Sequence, residues 1–445
     1  MRIRRSLLAA ALPLALAAPQ AAGAATVAPG HVLVRFDGSA THAERVAAVR
    51  ATGTGNAIPL PGGAREVRIE DGESVAETLG QLRAQPGVAE VRPDYVLRKA
   101  ARGYYPNDPG VGDPGDWRSI QWNFAGRFGI HAPRAWARMR KLDRDGGRGV
   151  VVAVIDTGVA YEDRGSFKRA PDLYRGRFEK GWDFVEGDRF PFDEDGHGTH
   201  VSGTLAEHVN NKKAVTGLSY GIHIMPVRVL NAKGTGNGST FARSIKWAAD
   251  HGADVINLSV EFDPVLRAGD IPDVIAAMRY AHQHHVTMVG SSGNLSGNRV
   301  AYPARDKNVI SVGATTEHGC QAEYSSYGDG LDLVAPGGGG DASLDDSAWE
   351  RDHCDGGRDG RVIYQQTFLK NPRDFHLVGF AGTSEAAPHV TAAAALVIAS
   401  GVVGSDPRPG TIQHRLEDTA RDLGASGYDK RYGHGLLDAA AAVGG

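Results

Sequence analysis

Cysteine is almost missing from this chain of 445 residues, which carries only Cys320 and Cys354. That excludes a disulfide-dense small scaffold and a cysteine-rich zinc site. An excess of either charge is missing too, with 49 Lys and Arg against 52 Asp and Glu and a net charge of -3. Nucleic acid, which needs a basic face, is therefore not an expected partner. Beyond the first 25 residues no apolar run approaches the roughly 20 residues that span a bilayer, and no internal repeat suggests a solenoid. What the chain has in quantity is length and glycine, 59 residues of it. The length exceeds one average domain and predicts two folded units around sizeable cores.

Residues 1–25 hold Arg2, Arg4 and Arg5, an apolar run from Leu7 to Ala18, and Ala22-Gly23-Ala24. That order describes a secretory signal peptide with an A-x-A cleavage site, followed by a chain free of the membrane. Three of the basic residues belong to this segment, so the remainder is mildly acidic. Export into an oxidising compartment lets Cys320 and Cys354 pair, the alternative being two free buried thiols. Their spacing of 34 residues would contribute about 3 to 4 kcal/mol through loop entropy.

Residues 31–99 read as strand, helix, strand, helix, strand, a small α/β sandwich. Thr41 with Glu44 and Ser74 with Glu77 have capping-box spacing at the two helix starts. The segment ends in the basic VLRKAARG, a place suited to proteolysis. After YYPNDPGVGDPGDW (104–117) the texture changes to continuous apolar strands such as GVVVAVID (149–156), alternating with helical stretches at 239–252 and 270–284. Asp270 is the expected cap of the last of these, with Pro272 in its first turn. Such alternation predicts a parallel sheet covered by helices on both faces, with reactive groups at the carboxyl ends of its strands.

Three stretches place reactive side chains at such positions. In VIDTGV, Asp156 ends a buried strand. In EDGHGTHVSGT, His197 stands between glycines at a helix start. In GTSEAAPHV, Ser384 opens a helix running to about Ser400, with Pro388 expected in its first turn. A serine hydroxyl attacks well only when a base removes its proton, and the imidazole in turn needs a carboxylate to orient it. The order Asp, His, Ser also differs from that of the α/β-hydrolases, where the serine comes first. In VGSSGNLSG, Asn294 follows a strand and can offer an amide to an oxyanion beside the Ser384 N–H.

On these motifs, DTG, HGTH with VSGT, SSGN and GTSxAAPHV, the chain resembles the subtilisin-type serine proteases from about Tyr105 to Val443. The resemblance implies an α/β fold in which a subtilisin-like parallel-sheet domain at 103–445 follows a propeptide at 26–102. The propeptide would act as chaperone and inhibitor, and the enzyme as a monomer acting on peptides or proteins without a catalytic cofactor. It assigns Asp156, His197 and Ser384 to the triad, Asn294 to the oxyanion site, and His200 to a structural neighbour. Gly234-Thr235-Gly236 and Ser259-Val260-Glu261 match the two extended stretches that pair with a bound peptide, and Ala301-Tyr302-Pro303 would lie near the floor of the pocket for the residue before the scissile bond.

Calcium is implied by VNNKKAVTG, with Asn211, the backbones of Val209, Lys213 and Val215, and the carboxylates of Asp108 and Asp172 as oxygen ligands. Lys212 and Lys213 stand against it. The acids Glu261, Asp193-Glu194-Asp195 and Glu385 suggest preference for a basic substrate side chain. Glu385 occupies a position where the family usually has methionine, and a carboxylate there should raise the pKa of His197. His282, His284 and His285 read as a solvated helix end. Two other classes remain to be weighed: a catalytically inactive peptide-binding relative, and a metalloprotein built on His197 and His200, for which no H-E-x-x-H motif is present.

Overall fold

The computed structural model describes residues 27–50, 57–69, 74–95, 103–344 and 347–444. The signal-like segment 1–25 and the basic stretch at 96–102 lie outside the described residues. The chain divides into two compact units, 1–100 and 101–445.

The N-terminal unit is a four-stranded antiparallel sheet, in the order Ala57–Pro59, Ala64–Arg68, Val27–Phe36, Val88–Tyr95, with helices His42–Arg50 and Val75–Arg83. Its helices start where the capping residues predict. The Ser74 hydroxyl accepts from the Glu77 N–H at 3.2 Å while the Glu77 carboxylate accepts from the Ser74 N–H at 3.0 Å, and Thr41 and Glu44 make the same reciprocal pair. Each such cap contributes about 1 kcal/mol. The core is small, built on Val32, Val34, Val67, Leu79, Leu82 and Val91. The strand Ala57–Pro59 was not anticipated, because three residues ending in proline carry no alternation to read.

The second unit is a seven-stranded sheet in which every neighbouring pair is parallel. Its order is Leu333–Pro336, Val309–Thr315, Thr287–Ser291, Val255–Leu258, Val151–Asp156, His223–Arg228, Trp182–Asp183. Side chains alternate across a strand. From Val151–Asp156, Val152 and Val154 enter a core with the helices His197–Ala206 and Thr383–Ser400, while Ala153 and Ile155 enter another with Gly238–Asp250 and Pro272–Gln283. Burial on both faces is why these strands are apolar without interruption. After Val151–Asp156 the chain adds His223–Arg228 on one side and then Val255–Leu258 on the other. The strand order reverses there, and α/β sheets open a crevice at such a point.

Two local expectations need correction, and one between them holds. Asp270 does not cap the helix Pro272–Gln283; it ends a short 3₁₀ turn, where its carboxylate accepts the Arg267 N–H at 2.8 Å. Pro272 is the first residue of the helix, where its missing N–H costs nothing. Pro388 lies in the second turn of Thr383–Ser400, not the first, so the Ser384 carbonyl loses its helical donor. That carbonyl accepts instead from the Ser259 hydroxyl at 2.8 Å.

Candidate active site

Asp156 is the last residue of the central strand and fully buried. Its Oδ1 accepts the His197 Nδ1–H at 2.7 Å and the Thr157 N–H at 2.7 Å. A carboxylate only accepts, so Nδ1 carries the proton and Nε2 is the free face of the ring. His197 opens its helix after Gly196, whose φ of 104° is left-handed and where a Cβ would sit 2.2 Å from the Phe368 carbonyl.

Asp193 builds this corner, and sequence reasoning placed it wrongly. It is buried, not part of an acidic rim, and accepts from the backbone N–H of Asp195, Gly196 and Thr199 and from the hydroxyls of Thr157 and Thr199. The signal for it was an Asp four residues before the first residue of the helix, facing donors that helix starts leave orphaned. Glu194 is likewise occupied, in an ion pair with Arg228, which also binds Asp183.

Ser384 stands in the first turn of its helix, where N–H groups lack intrahelical acceptors. Asn294 follows the strand Thr287–Ser291. Its Oδ1 accepts from the Thr383 N–H at 2.8 Å and from the Thr383 hydroxyl at 3.0 Å. Those bonds set the amide plane and leave Nδ2 as the donor to spare. No hydrogen bond joins Ser384 Oγ to His197 among the described residues; the hydroxyl donates to Glu385 Oε2 at 3.0 Å.

A cavity of about 460 Å³ opens beside these groups, lined by His197, Ser384 and Asn294 together with Gly234, Thr235, Gly236, Ser259, Val260 and Glu261. Neither 234–236 nor 259–261 belongs to a strand, although the Gly234 N–H and the Thr235 carbonyl are already bonded to Asn231 in a turn and the Val260 carbonyl accepts the Ser291 hydroxyl. A Cβ at Gly236 would fall 2.4 Å from the Val229 carbonyl, so the close approach requires glycine. Glu385, expected at the substrate surface, does not line this cavity; it is buried behind the serine. Nor do Ala301-Tyr302-Pro303 line it: the Tyr302 carbonyl accepts the Phe262 N–H one layer away. Only Asp195 and Glu261 bring acid to the lining, which has no Lys or Arg. Glu261 also accepts the Asn294 N–H at 2.9 Å.

The electrostatics are uneven. Burial works against a charged His197, but the Asp156 carboxylate and its hydrogen bond, then Glu385 and Asp193, outweigh it and push the pKa up to about 10. His200, sealed in the core, is held down at about 3 by burial and by the neighbouring His197. Burial raises the carboxyl of Glu385, while His197 and the Ser384 hydrogen bond pull it back. His200 donates to the carbonyls of Ile363 and Val378 in the hairpin Ile363–Thr367 and His376–Phe380, an element not anticipated from sequence.

The subtilase family profile matches residues 147–435. The chain belongs to the subtilase family.

Its relatives are proteases. It is similar to Subtilisin Savinase of Lederbergia lenta, 35% identical over 297 residues that cover 67% of this chain and 91% of the relative. Thermitase of Thermoactinomyces vulgaris is 32% identical over 73% of this chain and 94% of its own length. The thermophilic serine proteinase of Bacillus sp. (strain AK1) is 29% identical over 91% of this chain and 85% of its own, a span that takes in part of the N-terminal unit. Among solved structures, a protease of Pseudoalteromonas arctica PAMC 21717 superimposes with a TM-score of 0.61 at 29% identity, over 76% of this chain and 99% of that one. This subtilase is therefore a serine-type endopeptidase, of a family whose catalysis uses no cofactor.

The calcium reading does not fit this subtilase. Both Asp108 oxygens accept backbone N–H groups, from Asn210 at 2.7 Å and Asn211 at 3.1 Å. Asn211 turns its Nδ2 donor to Asp172 Oδ1 at 2.5 Å and uses its own Oδ1 for the Lys213 N–H. The side-chain oxygens of Asp108 and Asn211 and the Oδ1 of Asp172 are thus turned to N–H donors, leaving only Asp172 Oδ2 of the expected carboxylate oxygens without a partner, and the described residues contain no group of three His, Cys, Asp or Glu able to hold a metal. The serine elbow of the hydrolases is not built either. Gly217-Leu218-Ser219-Tyr220-Gly221 has the G-x-S-x-G spacing, but Ser219 is buried and donates to the Ala392 carbonyl at 2.7 Å. Cys320 and Cys354 are joined in a disulfide. His284 stacks on Tyr280 and bonds its carbonyl, as a helix end would.

Proposed function

We propose that this subtilase is an exported, self-processing endopeptidase with Asp156, His197 and Ser384 as its triad. Ser384 Oγ attacks the peptide carbonyl while His197 Nε2 takes the hydroxyl proton, and Asp156 holds the ring and its developing cation. The carbonyl oxygen, now negative, receives the Asn294 amide and the Ser384 N–H. The tetrahedral intermediate collapses as His197 returns the proton to the leaving amine; water then repeats the sequence on the acyl-enzyme. The observation that carries this reading is convergence. Three segments far apart in sequence bring His197, Asn294 and Ser384 to one cavity, and a fourth holds Asp156 buried against His197 at the carboxyl end of the central strand.

In this reading residues 1–25 are the export signal, 26–102 the propeptide that assists folding and then inhibits, and 103–445 the mature, monomeric enzyme. No helix among the described residues is long and apolar enough to cross a membrane. Asp195 and Glu261, in a lining without Lys or Arg, support a preference for basic side chains near the scissile bond. An inactive relative gains no support, since none of the four residues is replaced. A His197–His200 metal site gains none either, because His197 binds Asp156 and His200 faces carbonyls.

Mass spectrometry of the secreted wild type and the Ser384→Ala variant tests the proposal, alongside labelling with a fluorophosphonate. The variant should retain residues 26–102 and stay unlabelled, while the wild type loses them and is labelled on Ser384. A processed, labelled Ser384→Ala protein would overturn it.

A further inference from the structure

The carboxylate that follows the serine has no part in the triad, yet it touches more of it than any other side chain outside it. Glu385 Oε2 accepts the Ser384 hydroxyl at 3.0 Å, and Oε1 lies 3.8 Å from His197 Nε2 and 4.0 Å from His200 Nδ1. The side chain is only 2% exposed. Its place depends on Gly382, where a Cβ would stand 2.6 Å from Glu385 Oε2 and 2.9 Å from Ser384 Oγ.

A hydroxyl has one proton to donate. While Ser384 gives it to Glu385, it cannot give it to His197 Nε2. The imidazole is fixed by Asp156 with Nε2 outward, so the ring cannot turn to meet the serine without losing the 2.7 Å bond. His200 adds a second constraint. Its Nε2 donates to two carbonyls, so its buried Nδ1 has a lone pair and no partner. A lone pair gives an ionised Oε1 no stabilisation. The cation available to balance the buried Glu385 carboxylate is His197 itself.

Building on the triad reading, we propose that Glu385 is a positioning residue that holds the nucleophile at rest. Its ionised carboxylate binds the Ser384 hydroxyl and pairs with the His197 imidazolium. Acylation begins when His197 has lost that proton and the hydroxyl turns from Oε2 to Nε2. The enzyme is thereby kept idle at low pH and released as pH rises.

The other titratable groups packed around this carboxylate do not compete for that role. Asp156, at the end of the central strand, accepts through Oδ1 while its buried Oδ2 has no partner, and Asp193, before the His197 helix, accepts on both oxygens; neither carries the positive charge that would balance Glu385. His200 is held neutral by burial, and Tyr324, between the strands Val309–Thr315 and Leu333–Pro336, has its hydroxyl pushed well above its usual range by burial and then by Glu385. His389, one turn along, bonds the Glu385 carbonyl and is lowered to about 4 by burial.

The test is the pH dependence of two rates, kcat/KM on a peptide p-nitroanilide and inactivation by diisopropyl fluorophosphate. Both are measured on protein expressed from the full chain, as wild type, Glu385→Gln, Glu385→Met and Glu385→Asp. The acid limb of the wild type should lie well above the ~6.5 of a free imidazole. Removal of the charge in the Gln and Met variants should bring it down by about one pH unit or more, while the Asp variant, which keeps the charge, stays nearer the wild type. A Gln limb that coincides with the wild type overturns the proposal. So does a wild-type limb at or below ~6.5, which decides the matter even if the neutral variants do not fold. Wild type that takes no fluorophosphonate at any pH sinks the triad reading itself; labelling with coincident limbs sinks only the role of Glu385.

Discussion

Two groups of three carboxylates are buried in the same fold and meet different fates. Around the serine lie Asp156, Asp193 and Glu385; beneath the loop 209–217 lie Asp108, Asp172 and Glu207. In the first group an imidazole stands among the acids and takes up their field, ending as a strongly basic histidine. In the second the loop contributes an asparagine amide and backbone N–H groups, which bond but carry no charge. Asp172 Oδ2 and Glu207 Oε2 are left without a partner. Burial pushes Asp172 up to about 7, and Glu207 well up with it, burial being followed in that case by the charge of Asp172. Burial by itself favours a neutral carboxyl, and the presence of a cation decides whether that becomes chemistry or a liability.

The comparison can be broken at either end. The largest effect is expected in the first group's cavity. Asn294→Ala removes the amide proposed for the oxyanion and should lower kcat by about 10² to 10³-fold, the loss that subtilisin, of this same family, is known to suffer. KM should change little, and a rise confined to KM would place Asn294 in binding instead.

A smaller effect belongs to the second group, and is best read in a Ser384→Ala background free of autolysis. Asp172 has a raised folded pKa, so the unfolded chain ionises first. Stability is then lost as pH climbs from the ~4 of a free carboxyl to about 7, and is not regained above. Asp172→Asn cannot ionise. It should flatten melting temperature across that window and exceed the parent at pH 8 by about 2 to 4 °C for each kcal/mol recovered. A chelator should leave the melting temperature unchanged. If the chelator lowers it, a cation fills the two orphaned oxygens and the contrast between the groups disappears.

The smallest change concerns Glu261, which faces the cavity while bonding the Asn294 N–H. Glu261→Gly should reduce the ratio of cleavage after Arg to cleavage after Leu in a peptide library, with a loss of activity within about tenfold as one hydrogen bond to the oxyanion loop goes. An unchanged ratio would leave Glu261 with the structural role alone.

Much of this was legible in the chain before its structure. The strands GVVVAVID and VTMVGSS are apolar because both faces are covered, and the capping boxes at Thr41 and Ser74 start helices with local bonds. Periodicity and caps are properties of neighbours, and reactive residues at strand ends inherit that clarity. The strand Ala57–Pro59 and the hairpin at 363–380 escaped notice for the opposite reason. They are short, and their pairing partners, not their own residues, make them strands.

What the sequence by itself determined is therefore the parallel-sheet fold, the positions of Asp156, His197, Asn294 and Ser384 at the ends of its elements, and the glycines that let backbones approach. Tertiary structure alone decided which acid faces which base. Asp193 and Glu194 look like an open rim until Thr199 and Arg228 arrive to occupy them. Pro388 looks like a fault in a helix until Ser259, 125 residues from Ser384, bonds the Ser384 carbonyl that the proline leaves without a donor. Glu385 looks like a surface charge until packing shuts it behind the serine between two histidines. A side chain's charge is written in the sequence, but its cost and its use depend on the dielectric and the partners around it, and those come from residues far along the chain.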